Sequence, residues 1–260
     1  GNITRFLEKP SWGEVFSDTI NTGIYILENK VVGMIPYKSD FDFSKNLFPL
    51  MMNEGMKLCG YIAEGYWRDV GTLNEYQDAS MDCLAGRVQV EFPGTRHGAH
   101  VLGERVELHD SLVRMGGMNI IGDNAVIASS ARVINSVIGR NVRIGEGAVV
   151  QNMVIWDGSR IDENVHVADG VIGYDSILLA GATVAENVFI SDRCTIGVEA
   201  NLTPNIKLWP DKIVADGAVL SKSLVWEDRW LKELFTDARI TGKSNIDVTP
   251  EFGAKLGAAL

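Results

Sequence analysis

Long apolar runs are missing from this sequence. None approaches the roughly 20 consecutive apolar residues that a bilayer crossing requires, so a membrane span has no candidate segment and the expected location is the cytoplasm. Positive charge is also short: 24 Lys and Arg stand against 34 Asp and Glu, a formal net charge of −10. Nucleic-acid surfaces need clustered cations to meet phosphates, which sets that class aside. A small anionic substrate stays possible, because one Lys and a metal ion can reverse the field inside a cleft. Cysteine is scarce. Cys59, Cys83 and Cys194 are odd in number, widely spaced and without metal-ligand spacing, as expected of reduced structural thiols. No signal peptide is recognisable, since Gly1 to Phe6 already reads as strand; that abrupt start leads us to expect a fragment.

What is present begins with 46% apolar residues, enough for a core, and with a long repeat. Aliphatic residues recur at Ile121, Ile127 and Val133; at Ile138, Ile144 and Val150; and at Ile155, Ile161 and Val167. From Ile172 they continue every six residues through Leu178, Val184, Ile190, Ile196, Leu202, Leu208, Val214 and Leu220. The position two earlier is usually small, as at Ala125, Ala131, Ser136, Ala148, Ser159, Ser176, Cys194 and Ala218. Residues two apart share a face of a strand, so both point inward. Gly122, Gly139, Gly145, Gly173 and Gly197 follow the aliphatics and are read as sharp turns. A period of six fits neither a helix nor an ordinary strand; it is a hexapeptide repeat and resembles the left-handed parallel β-helix family.

Residues 1–86 have another character. Strands are expected at Ile3 to Leu7, Ile24 to Leu27 and Lys57 to Ala63. One helix is expected after a Ser44 cap, through Leu47, Phe48 and Met51 to Gly55. A second follows the Thr72 and Glu75 capping box, with Leu73, Tyr76, Ser80, Cys83 and Leu84 on its inner side and Gly86 closing it. Three short motifs then fall at strand ends, where α/β sheets hold ligands. Glu8-Lys9-Pro10 offers an acceptor for sugar hydroxyls and an ammonium for phosphate. Asn21-Thr22-Gly23 offers amide groups and a close backbone approach. Asp69, between Trp67 and Gly71, offers a hard oxygen for Mg²⁺. Singly, each has a plain alternative as surface charge, helix cap or core.

In this order they resemble the second half of the sugar-1-phosphate nucleotidyltransferase family. The run FLEKP … NTGIYILE … DFSKNLFPLM … GYIAEGYWRDVGT is similar to the mannose-1-phosphate guanylyltransferase and glucose-1-phosphate nucleotidyltransferase branch and covers about a third of the chain. The resemblance implies an α/β fragment, the C-terminal part of a Rossmann-like nucleotidyltransferase domain, in front of the β-helix that the branch often carries. It implies that Glu8, Asn21, Thr22 and Gly23 meet the sugar, that Lys9 meets its phosphate, and that Asp69 is one of two carboxylates holding a catalytic Mg²⁺. Hexose 1-phosphate and a nucleoside triphosphate would be the substrates, with GDP-mannose or a glucose nucleotide as product. One departure is large: the family's G-x-G-T-R-x-x-P phosphate loop occurs nowhere in these residues. A homo-oligomer, or a partner chain supplying the missing half, is therefore expected, and the chain alone should be inactive.

The expected division is 1–86 nucleotidyltransferase part, 87–225 β-helix, and 226–260 helical cap. In the last segment Leu224, Trp226, Trp230, Leu231, Leu234 and Phe235 are read as an amphipathic helix. The final residues resemble the opening of a phosphohexomutase domain, with Thr249 and Pro250 at its first helix start. Two other functions stay open. A non-catalytic scaffold would use the β-helix to join subunits. A hexapeptide acyltransferase would need a His base, and His166, the one histidine inside the regular repeat, should point outward.

Overall fold

A computed structural model describes residues 1–3, 19–108, 115–225, 229–230, 235–236, 239–240, 250–251 and 254–255. Glu8, Lys9, the strand beyond Ile3 and Thr249 lie outside the described residues. Contacts divide the chain into two compact units, Gly1–Asp69 and Val70–Leu260, so the helix expected to close the first segment is counted with the repeat.

Among the described residues, the first unit is held by a small apolar cluster rather than by a sheet. A short helix α1 (Asn29–Val32) contributes Val31, and α2 (Phe48–Asn53) contributes Phe48 and Met51; Leu47 and Leu58 complete the buried set. A π-helical turn, Phe43–Leu47, leads into α2. The switch has a cause in Pro49, which has no N–H and whose ring would crowd the carbonyl four residues back in a regular helix. Asp42, not Ser44, is the cap: its carboxylate accepts the Lys45 N–H at 2.8 Å. Gly55 ends the helical segment in the left-handed region, φ +69°, as expected. The strands expected at Ile24 to Leu27 and Lys57 to Ala63 are corrected. The first is extended but unpaired among the described residues, with Ile24 and Ile26 exposed; the second makes one bridge, Cys59 to Asn2. A strand needs a ladder partner: among the described residues the first run has none, and the second meets only Gly1–Ile3, where the Ile3 N–H donates to the Leu58 carbonyl at 2.9 Å and the Gly60 N–H to the Gly1 carbonyl at 2.8 Å.

The second unit opens with α3 (Leu73–Leu84), where the Thr72 hydroxyl accepts the Glu75 N–H at 3.2 Å. Beyond the antiparallel hairpin of Thr95–His97 and His100–Leu102, the chain winds as a parallel β-solenoid of about seven turns. Short strands pair with the coil 17 or 18 residues on, in three columns. One column holds Ile121, Ile138, Ile155, Ile172, Ile190 and Leu208; the second runs from Ile127 to Val214; the third runs from Val133 to Leu220. All 18 aliphatics of the repeat are at most 2% exposed, each contributing about 2 kcal/mol of apolar burial. The small residues two positions earlier are buried as well.

The corners differ from expectation. None of the glycines after the aliphatics has a positive φ; the left-handed residues are mainly Asn and Asp, such as Asn124, Asn141, Asn164, Asp175, Asn187 and Asn205. They come three residues after the aliphatic, but only two after Val133, Val150 and Val167, which is where the 17-residue coils lose their residue. Those glycines are small for another reason. A Cβ on Gly139 would lie 2.5 Å from the Asp157 carboxylate, and one on Gly197 would lie 2.6 Å from that of Asp216. Gly103 with Asp123 and Gly173 with Asp192 repeat the arrangement. In each pair the Asp accepts the N–H of the residue after the glycine, at 2.7–3.0 Å, and so caps the neighbouring coil.

Only the first face is apolar outside as well as inside. Its outward residues Val154, Val171 and Phe189 are buried, with Val137 beside them, beneath Tyr76 and Met81 of α3. Tyr76 and Leu84 lie on the inner side of α3 as expected, joined by Gln77 and Met81, whereas Leu73 is exposed. Gln77 donates to the Asn152 carbonyl at 3.3 Å, and Asn74 to the Asn187 side chain at 3.3 Å. The helix expected around Leu224 to Phe235 is also corrected where the chain is described; Trp226, Leu231 and Leu234 lie outside the described residues. Leu224 is buried and bridged to Leu208, and the backbone of Arg229–Trp230 pairs with Ile213–Val214, so the chain continues the columns. The last coil offers open strand edges, and strand pairing satisfies them where a helix would not.

Candidate functional site

The site residues that the structure describes lie in the first unit. In Asn21-Thr22-Gly23 the Asn21 Oδ1 accepts the Gly23 N–H at 3.0 Å, closing a tight turn. Gly23 has φ +74°, which strains any residue with a Cβ, and a Cβ there would meet nothing within 4 Å. The backbone is thus open to an incoming group at this point.

The turn is braced from two sides. Asn21 Nδ2 donates to the Tyr25 hydroxyl at 2.7 Å and reaches the Ser44 hydroxyl at 3.4 Å. The Tyr25 ring meets Phe43 and Phe48 edge-on, with centroids 5.5 and 5.0 Å away. Ser44 is placed by the Asp42-capped turn, where the Asn46 side chain also accepts the Asp42 N–H at 2.9 Å. Sequence reasoning named Asn21, Thr22 and Gly23 but missed Tyr25 and Ser44. The signal was present: a Tyr at i+4 with its ring among phenylalanines has a hydroxyl to satisfy.

Thr22 is half-buried. Asp69 is exposed and forms no hydrogen bond or ion pair among the described residues. A free carboxylate fits the demands of Mg²⁺, which takes one or two carboxylates and completes its shell with water and substrate phosphate. It is not a closed site; among the described residues no group of three or more His, Cys, Asp or Glu could hold a metal ion. His166 is exposed, as expected, with Nδ1 3.0 Å from the carbonyl of Asn164 in the preceding corner. A polar groove of about 610 Å³ runs between α3 and the third corner, lined by Gln77, Asp78, Arg87, Asn152 and Asp169 among others; no expected site residue lines it. Among the described residues no helix is long and apolar enough to cross a membrane.

Known families match the same two parts. Residues 1–86 match the nucleotidyl transferase family, and residues 101–202 match the LbH (left-handed β-helix) domain of EIF2B subunit epsilon. The chain therefore joins a nucleotidyltransferase segment at its N-terminus to a parallel β-solenoid.

Its relatives are sugar-1-phosphate nucleotidyltransferases. A glucose-1-phosphate adenylyltransferase of Desulfitobacterium hafniense is 35% identical over 150 residues, covering 51% of this chain and 37% of that one. A UTP–glucose-1-phosphate uridylyltransferase of Synechocystis is 32% identical over 159 residues (53% and 41%), and a mannose-1-phosphate guanylyltransferase of Mycobacterium tuberculosis is 28% identical over 143 (55% and 39%). The chain spans about two fifths of the length of the curated relatives it matches. A UDP-N-acetylglucosamine acyltransferase structure from Bacteroides fragilis is 22% identical with a TM-score of 0.43, covering 52% of this chain and 68% of that one; its chemistry does not carry over.

Proposed function

We propose that this chain carries the sugar-phosphate side of a sugar-1-phosphate nucleotidyltransferase, with glucose 1-phosphate or mannose 1-phosphate as acceptor. The observation that supports this best is the braced Asn21-Thr22-Gly23 turn, open above Gly23, inside the segment that matches the nucleotidyl transferase family. In the proposed reaction an oxygen of the sugar phosphate attacks the α-phosphorus of a nucleoside triphosphate. The new O–P bond forms as the bond to the β-phosphate oxygen breaks, and pyrophosphate leaves. Both reactants are already anionic, so catalysis rests on positioning and charge neutralisation. The turn at Asn21 would orient the hexose, Glu8 would accept from a hydroxyl, and the Lys9 ammonium would offset the acceptor phosphate. Asp69 would be one ligand of Mg²⁺, which when bound supplies positive charge to the triphosphate. The nucleotide loop is not among these 260 residues, and we infer that another segment or chain provides it.

In the complete protein, pyrophosphate release from a nucleoside triphosphate should require a hexose 1-phosphate. Asp69→Asn should lower kcat far more than it raises the sugar-phosphate KM, while Lys9→Ala should chiefly raise that KM. Full activity in Asp69→Asn would remove that residue from the metal site. The isolated 260-residue chain should release no pyrophosphate. A scaffold reading draws on a different observation: Ile24, Ile26 and Tyr61 are 77%, 101% and 90% exposed and call for a cover. Light scattering on the purified chain should then show a dimer or larger, and a monomer at micromolar concentration would count against association.

A further inference from the structure

The groove of about 610 Å³ between α3 and the third corner lies within the second unit and contains no residue of the proposed sugar site. Its chemistry is one-sided. Asp78, Asp169 and Glu186 line it, and its one lining cation among the described residues, Arg87, is already paired with the buried Asp82. The amides add to this excess of acceptors. Gln77 is only 7% exposed, and its Nε2 donates to the Asn152 carbonyl at 3.3 Å. Only the nitrogen end of an amide can face a carbonyl oxygen in this way, so Oε1 is the free end. Among the described residues Oε1 has no donor, although a buried acceptor left unmet costs about 1–3 kcal/mol. Asn152 repeats the arrangement: its Nδ2 donates to the Asp169 carboxylate at 2.8 Å, which leaves Oδ1 without a partner.

We propose that this groove binds a linear polyamine, whose ammonium groups donate to Gln77 Oε1, Asn152 Oδ1 and the carboxylates of Asp169 and Glu186. The Glu186 carboxylate forms no hydrogen bond or ion pair among the described residues, and Asp169 keeps the oxygen that Asn152 does not use. A bare metal ion does not suit the groove, since no group of three or more His, Cys, Asp or Glu among the described residues could hold one. An extended ligand does. Asn135, Asn152, Asp169 and Asn187 stand on successive coils, so at about 4.8 Å per coil the groove runs for about 14 Å. Met81 and Leu84 of α3 give it an apolar wall along which methylene groups can lie. A peptide suits it less, because each residue would bring a carbonyl into a groove already rich in acceptors. Held between Gln77 on the helix and Asp169 and Glu186 at the corner, the ligand ties α3 to the solenoid.

The test uses the complete protein and titration calorimetry with spermidine at physiological ionic strength. Spermidine should bind as a single equivalent and should slow hydrogen exchange across Leu73–Leu84. Glu186→Gln keeps the shape of the side chain and should weaken binding on the order of tenfold, the worth of one hydrogen bond to a charged group. Asp169→Asn retains an acceptor for Asn152 and should act likewise. Glu163→Gln removes the same charge outside the groove and should leave the affinity unchanged. Equal losses in Glu186→Gln and Glu163→Gln would mean that spermidine is drawn by the net charge of the protein alone, which overturns the site. No binding at millimolar spermidine overturns it as well. If an oligolysine peptide binds more tightly than spermidine and is weakened by the same substitutions, the occupant is a polypeptide and the polyamine assignment falls. None of these results bears on the turnover of hexose 1-phosphate, which is measured separately.

Discussion

Gly173 shows how one hydrogen atom's width is used in the solenoid. Its missing side chain makes room for the Asp192 carboxylate, which caps the Tyr174 N–H of the coil below at 3.0 Å. Gly173→Ala should therefore cost about 1–3 kcal/mol in urea denaturation, since the crowded atom is tied by its own hydrogen bond. Asp192→Ala added to it should cost less than the two single losses together; full additivity would mean the pair is not coupled. His100 offers a second test. Asn119, which has no solvent exposure and stands where the repeat would have a small residue, reaches His100 Nδ1 at 3.2 Å. Burial lowers the His100 pKa below its usual 6.5 by penalising the imidazolium. The unfolded chain then takes up the proton first, so stability is full above about pH 6.5 and declines as pH falls through that value. Between pH 7.5 and 5.5 the thermal midpoint should fall more for the native chain than for His100→Gln. The glycines were legible in the sequence, but their reason was not, because the carboxylate that excludes a Cβ sits 18 to 20 residues away. Asn21 was legible as a candidate site residue; its engagement with Tyr25 and Ser44 was not, because Ser44 joins it across 23 residues of chain.

At the scale of elements, the columns of the solenoid could be read in advance because the repeat itself sets their register. Each inward aliphatic sits on its counterpart one coil away, so sequence period and spatial neighbour coincide. The first unit lacks that coincidence. Its apolar runs at Ile24 to Leu27 and Lys57 to Ala63 have strand composition, yet a strand is made by its partner. The seat of α3 was legible but unread: among outward positions, the first face alone carries Val137, Val154, Val171 and Phe189 in succession. Val171→Asp should put a charge beneath α3 without touching the interior of the coils. Hydrogen exchange should then speed up across Leu73–Leu84 and stay slow in the strands of the second and third columns. Exchange that remains slow in α3 would show that its polar contacts with Asn152 and Asn187 suffice to hold it.

Over the whole molecule, each inner strand of the regular solenoid is bonded to the coils immediately before and after it, 17 or 18 residues away in sequence. A load applied along the chain from its C-terminus meets those bonds one coil at a time, and the coils beneath are sheltered until their turn. Each release frees the length of one coil, about 60 Å at roughly 3.5 Å per extended residue. Single-molecule pulling should give a train of evenly spaced ruptures with that increment, beginning where Leu224 and Arg229–Trp230 pair with the coil before them and ending near Ile121. One abrupt release of the full length would mean that the coils fail together, as a two-state body. A train of equal steps would make the solenoid a ratchet, yielding length under tension while its remaining coils stay wound.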